Sequence, residues 1–144
     1  MSRVMLIAAD KPLPLCDKRV ERTHTFTMNG REYTITAQGG FCVSEHIYYR
    51  DAVDMLGHTM KPYQYELNIE TQADDLADFR TYLEKQLAPG EEVELWNLWI
   101  GFEPGPMSGF KGKLKDFGLD TLKQFDRPFG YINSPGQCRM TITI

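Results

Sequence analysis

The chain has 144 residues, of which 42% are hydrophobic and 25% charged, and its formal net charge is −4. These values are ordinary for a globular protein, so we expect a single soluble domain over residues 1–144 with its own core. No stretch approaches the roughly 20 apolar residues that cross a bilayer, so no membrane partner is expected. Three widely spaced cysteines argue against a disulfide framework and favour a reducing cytoplasm.

The charge is unevenly distributed along the chain. Residues 1–50 carry a net charge of +2, residues 51–103 carry −9 and residues 104–144 carry +3. A protein that binds the phosphate backbone is expected to show a basic stripe, so the acidic middle section disfavours a nucleic-acid partner. The acidic section is typical of a solvated surface; the alternative is that it faces a basic partner or the basic ends of the chain itself.

The first predicted element is a strand from Arg3 to Ala9. This run is apolar without alternation, as expected for a strand covered on both faces. Pro12 and Pro14 follow it and cannot donate to a strand ladder, so the strand ends before them.

The clearest element is a hairpin from Thr23 to Ala37. Its centre, Asn29-Gly30, favours a type I′ turn because both central positions of that turn need positive φ. Folding the chain about this pair places His24 opposite Ile35 and Phe26 opposite Tyr33 on one, mostly apolar, face. The other face pairs Thr25 with Thr34 and Thr27 with Glu32, and the clean separation supports the register.

Two short elements are predicted after the hairpin. The segment from Phe41 to Tyr49 is expected to be a third antiparallel strand that completes a meander with the hairpin. Asp51 is expected to cap a short helix through Leu56, with Gly57 at its C-terminal end.

The middle of the chain predicts a strand, a helix and a strand in succession. Apolar and polar residues alternate from Tyr63 to Ile69, as in a half-buried strand. Thr71 is placed to cap a helix from Gln72 to Leu87, and Ala88-Pro89-Gly90 stops it. The following strand, Glu92 to Ile100, carries two tryptophans at odd spacing and therefore on opposite faces.

The last third of the chain predicts a loop, a helix and a final strand. The glycine-rich segment from Phe102 to Lys113 is expected to be a mobile loop. A helix is expected from Phe117 to Phe125 and a strand from Cys138 to Ile144. The expected fold is therefore α+β: a mixed β-sheet, made of the antiparallel three-strand meander and a β-α-β-α-β unit, with helices largely packed on one face.

The residue patterns indicate neither a cofactor nor a metal. The glycine-rich loop fails as a phosphate-binding motif, because Gly112-Lys113 is followed by Leu114 and no glycine stands five positions before Gly112. Cys42 and His46 share a face of the proposed third strand, and His24 lies on the hairpin. Their spacing is not that of paired zinc ligands and a fourth ligand is missing, so no metal is expected.

The candidate site to which the most specific residues can be assigned is a crevice between two strands. Asp10 and Lys11 lie at the carboxyl end of the first strand, and Glu103 lies just beyond the strand that ends at Ile100. If these strands are parallel neighbours, the three side chains open into one crevice, as in α/β sheets that bind ligands. Trp99 and Phe102 would supply an apolar wall. The alternative is that these residues are ordinary solvated strand ends.

Two functions follow from these patterns. The first is a non-catalytic protein-interaction or ligand-binding module, antitoxin- or immunity-like by analogy, in which the acidic section or an exposed tryptophan contacts a partner or a second copy. The second is a small-molecule enzyme that uses the crevice near Asp10, Lys11 and Glu103. An interaction module predicts an exposed apolar patch, whereas the enzyme predicts a deep pocket with a perturbed carboxylate.

Overall fold

A computed structural model describes residues 2–69, 73–101, 106–126 and 137–144. It contains a seven-stranded mixed sheet, a separate two-stranded hairpin and three α-helices. The strands are β1 (Ser2–Ala9), β2 (Cys16–Asp17), β3 (Val20–Met28), β4 (Arg31–Gly39), β5 (Phe41–Glu45), β6 (Tyr63–Ile69), β7 (Glu92–Ile100), β8 (Met107–Lys113) and β9 (Gln137–Thr143). The helices are α1 (Arg50–Asp54), α2 (Ala73–Gln86) and α3 (Leu119–Asp126), and a short 3₁₀ helix spans Leu114–Asp116.

The large sheet has the strand order β2-β5-β6-β1-β7-β9-β8. Every neighbouring pair is antiparallel except β8 and β9, which are parallel and are connected through the 3₁₀ helix and α3. The predicted α+β class and mixed sheet are therefore confirmed. The strands β6 and β7, which α2 connects, flank β1 rather than each other.

The central strand β1 is buried on both faces, as its continuous apolar run predicts. Its residues Ile7 and Ala9 belong to the larger core, which α2, the 3₁₀ helix and α3 cover. Val4, Leu6 and Ala8 face the other way, into a smaller cluster with Trp96 and with Val53 of α1. We call the two sides of the sheet the α2 face and the α1 face. Helices α2 and α3 share one face, as predicted.

Helix α2 buries an apolar stripe against the sheet. Phe79 and Leu83 are completely buried, and the Phe79 ring contacts Phe41 edge-on with the ring centroids 5.5 Å apart. The predicted helix Gln72–Leu87 thus agrees with the observed element to within a residue at each end. Thr71, its predicted cap, lies outside the described residues.

The third strand of the predicted meander does not pair with the hairpin. Strand β5 pairs with β6 on one side and with β2 on the other, whereas β3 and β4 pair only with each other in the described part of the chain. At the join, Gly40 has a φ of 85°, and the Lys18 N–H donates to the Phe41 carbonyl at 2.9 Å. The backbone therefore turns at Gly40, and the three consecutive strands divide between two sheets.

Two further predictions were wrong in detail. The segment Met107–Lys113, predicted to be a loop, is a strand because it pairs along its whole length with β9. Asp51 lies in the first turn of α1 rather than at its cap; the cap position is Tyr49, which makes no side-chain capping hydrogen bond.

No helix among the described residues is long and apolar enough to cross a membrane.

Candidate interaction surface

The predicted crevice between β1 and β7 rests on a wrong strand direction. The two strands are neighbours but antiparallel, with Ala9 opposite Val93 and Arg3 opposite Trp99. Asp10 and Lys11 therefore lie at one end of the pair and Trp99 at the other, about 25 Å away for strands of this length. Phe102 and Glu103 lie outside the described residues.

Asp10 and Lys11 form ion pairs at their end of the sheet. The Lys61 Nζ lies 2.6 Å from Asp10 Oδ2, and the Lys11 Nζ lies 2.6 Å from Glu91 Oε1. The hydrogen bond from Lys11 also lowers the pKa of Glu91. These contacts are those of solvated strand ends, which was the alternative interpretation of the two residues.

Cys42, His46 and His24 do not form a metal site. Cys42 and His46 lie on β5 and just after it, whereas His24 lies on the separate hairpin. No group of three or more His, Cys, Asp or Glu among the described residues is placed to hold a metal ion. His46 is buried, and desolvation lowers its pKa although Glu66 Oε1 lies 3.9 Å from its Nδ1.

A cleft of about 570 Å³ lies beside β1, β5 and β6. Its two arginines are already neutralised: Arg3 pairs with Asp126, and Arg19 pairs with Asp17 at 2.7 Å. The hydrogen bonds from Arg19 lower the pKa of Asp17 to about 2. The cleft therefore presents neither arginine as an unpaired cation to a ligand.

The hairpin has the predicted register, and its apolar face is exposed. Asn29 and Gly30 both have positive φ, and the Phe26–Tyr33 and His24–Ile35 pairs form as expected. The Phe26 and Tyr33 rings stack with their centroids 5.5 Å apart. The large hydrophobic side chains of this face are nevertheless exposed: Val20, Phe26, Met28, Tyr33 and Ile35.

We call this side of β3 and β4 the hairpin face. The alternation of side chains places Arg22, His24 and Arg31 on it as well, among the apolar residues. Both hairpin carboxylates, Glu21 and Glu32, lie on the opposite face with the threonines. The hairpin face is therefore an apolar surface with a positive rim.

A second exposed apolar surface surrounds α1. Ile47, Tyr48 and Met55 are 68%, 85% and 87% exposed, respectively. Three exposed carboxylates, Glu45, Asp51 and Asp54, lie among them and outnumber one exposed arginine, Arg50. We call this surface, residues 45–55, the α1 patch. Its apolar centre and acidic rim are complementary in charge to the hairpin face.

The sequence indicated which residues share the hairpin face but not that the face is uncovered. Alternation separates two sides of a strand and says nothing about what covers either side. Arg31 is the signal of exposure on this face, because arginine is seldom placed in a core. The α1 patch is not evident from the sequence, because a strand is predicted from Phe41 to Tyr49. In the structure β5 ends at Glu45, and residues 46–49 lead into α1.

No family model, curated protein or solved structure matches the chain.

Proposed function

We propose that this chain is a non-catalytic protein-interaction module that associates with a second copy of itself. In this dimer the hairpin face of each copy docks on the α1 patch of the other. The observation that carries the proposal is the exposure of five large hydrophobic side chains on one face of a hairpin that lies outside the main sheet. Exposed apolar patches of this kind mark interaction sites in soluble proteins.

The charges of the two surfaces support their association. Arg31 lies at the edge of the hairpin face, and Asp51 and Asp54 rim the α1 patch. Opposite charges at the edges of an interface steer encounter and disfavour wrong partners. Two hairpin faces packed on each other would instead bring their arginines together, so the charges favour the reciprocal arrangement.

The area supports the same choice. Each hairpin strand has nine residues, so the hairpin face is about 30 Å long and 10 Å wide, or about 300 Å². Two hairpin faces packed together would bury about 600 Å², whereas reciprocal docking covers two hairpin faces and an equal area of each α1 patch, about 1,200 Å² in total. The second value reaches the lower end of the range for specific interfaces.

The hairpin itself stands to gain from docking. A two-stranded hairpin without a packed face is marginally stable in water. Covering Phe26, Tyr33 and Ile35 would remove their exposed apolar area from water, at about 25 cal/mol for each Å².

The three cysteines are free, which supports a reducing, cytoplasmic location as part of the proposal.

The test is sedimentation equilibrium of matched variants. Wild type is expected to dimerise at about 100 µM or below, as a standard-size interface predicts. Ile35→Asp places a charge on the hairpin face and should give a monomer. Thr34→Asp places the same charge on the neighbouring residue of the opposite face and should leave the dimer intact. A monomeric wild type, or equal effects of the two substitutions, would refute the proposal.

Reciprocal docking also predicts complementation between two monomeric variants. Ile35→Asp damages only the hairpin face and Met55→Asp only the α1 patch. In a mixture, the intact patch of the first variant can bind the intact hairpin of the second. We expect weak hetero-association in the mixture and none in either sample alone. If the mixture does not associate although wild type dimerises, the α1 patch is not the surface that the hairpin contacts.

A further inference from the structure

A pocket of about 380 Å³ lies on the α1 face of the sheet, and none of its described lining residues belongs to either proposed docking surface. It is formed by the connector after α1 and by three neighbouring strands, and its lining includes His58, Thr59, Trp96, Met107, Gly109 and Arg139. Small-molecule sites begin at about 300 Å³, so the pocket has room for a small ligand.

The centre of the pocket is a guanidinium group beside an indole ring. Arg139 Cζ lies 5.6 Å from the centroid of the Trp96 ring, and the two residues are partners in the ladder between β7 and β9. Gly109 is the partner of Arg139 on β8, and a Cβ atom there would already lie 3.9 Å from Arg139 Nη2. The glycine therefore keeps side-chain atoms out of the space beside the guanidinium.

The guanidinium has no counter-ion in the described part of the chain. Arg139 forms no ion pair with a described residue, and no carboxylate is among the described residues that line the pocket. Lys111 continues the same face of β8 and is exposed. The described lining therefore holds one guanidinium and no carboxylate; Glu94, on the same face of β7, accepts a hydrogen bond from the Lys61 N–H.

Two further polar atoms at this pocket lack hydrogen-bond partners. Trp96 is 2% exposed, and its Nε1 is buried with no partner among the described residues. The His58 ring centroid lies 5.3 Å from that of Trp96, and its Nε2 is likewise buried with no partner among the described residues. Leaving a buried donor without an acceptor is unfavourable, so such groups are normally paired.

These groups share one chemical requirement. Arginine and the indole N–H can only donate, and histidine and threonine donate when they meet an acceptor. A ligand that satisfies them must carry negative charge and several acceptor oxygens. A phosphate group has three strong acceptor oxygens and matches the planar fork of arginine, whereas a carboxylate has two oxygens.

We propose that this pocket binds the phosphate group of a small phosphorylated molecule. Arg139 supplies the charge and a two-pronged hydrogen bond, and Thr59 supplies a further donor. Binding must shift the side chains of Trp96 and His58 for their buried nitrogens to donate to the phosphate as well. The proposal is independent of dimer formation, because neither the hairpin face nor the α1 patch lines the pocket.

The test is titration of the ¹⁵N-labelled protein with inorganic phosphate at constant ionic strength. The chain has two tryptophans, so its spectrum has two indole N–H resonances, which Trp99→Phe assigns. The Trp96 resonance is expected to shift downfield and saturate with a Kd of about 1 mM, because an isolated phosphate has few contacts. The Trp99 resonance is the internal control and should not move.

Matched variants locate the site. Arg139→Gln should weaken binding about tenfold or more, because a hydrogen-bonded charge is worth about 1.5–3 kcal/mol. Arg139→Lys keeps the charge without the fork and should bind with intermediate affinity. Lys115→Gln removes the same charge from the 3₁₀ helix and should leave binding unchanged. Absence of a saturable Trp96 shift, equal binding by Arg139→Gln, or tighter binding of acetate than of phosphate would each overturn the proposal.

Discussion

At Gly40 the backbone conformation and the surrounding atoms leave no room for a side chain. Its φ of 85° lies in the left-handed region, and a Cβ atom there would lie 2.0 Å from the backbone carbonyl oxygen of Lys18. Gly30, in the hairpin turn, also has a positive φ of 72°, but a Cβ atom there meets nothing within 4 Å. The two glycines share the backbone requirement and differ in available space.

This difference sets the size of the effect of alanine at each position. Left-handed backbone costs a residue with a Cβ atom about 1–2 kcal/mol, and the reduced freedom of the unfolded chain returns about 0.4–1 kcal/mol. Gly30→Ala should therefore destabilise the protein by about 1 kcal/mol. Gly40→Ala adds an overlap with the backbone, for which overpacking costs of about 1–3 kcal/mol or more apply. With about 2 kcal/mol for the overlap, the middle of that range, we expect a total loss of about 3 kcal/mol.

Thermal unfolding followed by circular dichroism measures the contrast. For a chain of this size, 1 kcal/mol corresponds to about 3–4 °C in Tm. Gly30→Ala should lower Tm by about 3 °C and Gly40→Ala by about 10 °C. Gly40→Ala should also weaken dimer formation, because the join between hairpin and sheet must shift. Equal Tm losses for the two variants would show that close contact at Gly40 does not determine the path of the chain.

The remaining predictions concern the core. Phe79→Ala removes a completely buried ring and should destabilise the protein by about 3–5 kcal/mol, measured by urea unfolding; a loss below about 1 kcal/mol would contradict the packing described for α2. Desolvation lowers the pKa of His46 below its ordinary 6.5, so the unfolded chain takes up its proton first as the pH falls, and stability is present above about pH 6.5 and is lost below it. His46→Leu should therefore show a smaller fall in Tm than wild type between about pH 7.5 and pH 5.5, and an equal fall would show that His46 is not the group responsible. Burial raises the pKa of the Cys138 thiol to about 11, so a thiol reagent should modify half-buried Cys16 first and Cys138 only after unfolding; rapid modification of Cys138 in folded protein, detected by mass spectrometry, would refute its burial.

Local signals predicted the local parts of this fold. The Asn29-Gly30 turn determines the hairpin register because it constrains two backbone positions directly. The alternation of Tyr63–Ile69 and the helical spacing in α2 likewise depend on neighbours in the sequence. Strand β8 was missed for the opposite reason: Gly109 and Gly112 have low strand propensity, and only pairing with β9 holds the segment extended.

The predicted crevice near Asp10, Lys11 and Glu103 was wrong because it required the wrong strand direction. A continuous apolar run such as Arg3–Ala9 predicts a strand that is covered on both faces, and the predicted crevice also required this strand to be parallel to β7. In this fold α1 and α2 provide that cover over antiparallel neighbours. The same burial is thus compatible with both directions, but only the parallel one brings Asp10 and Lys11 to the end of β7 where Glu103 follows. Burial patterns in a sequence therefore identify central strands, whereas a site at strand ends also requires the direction of each neighbour, which depends on contacts between distant segments.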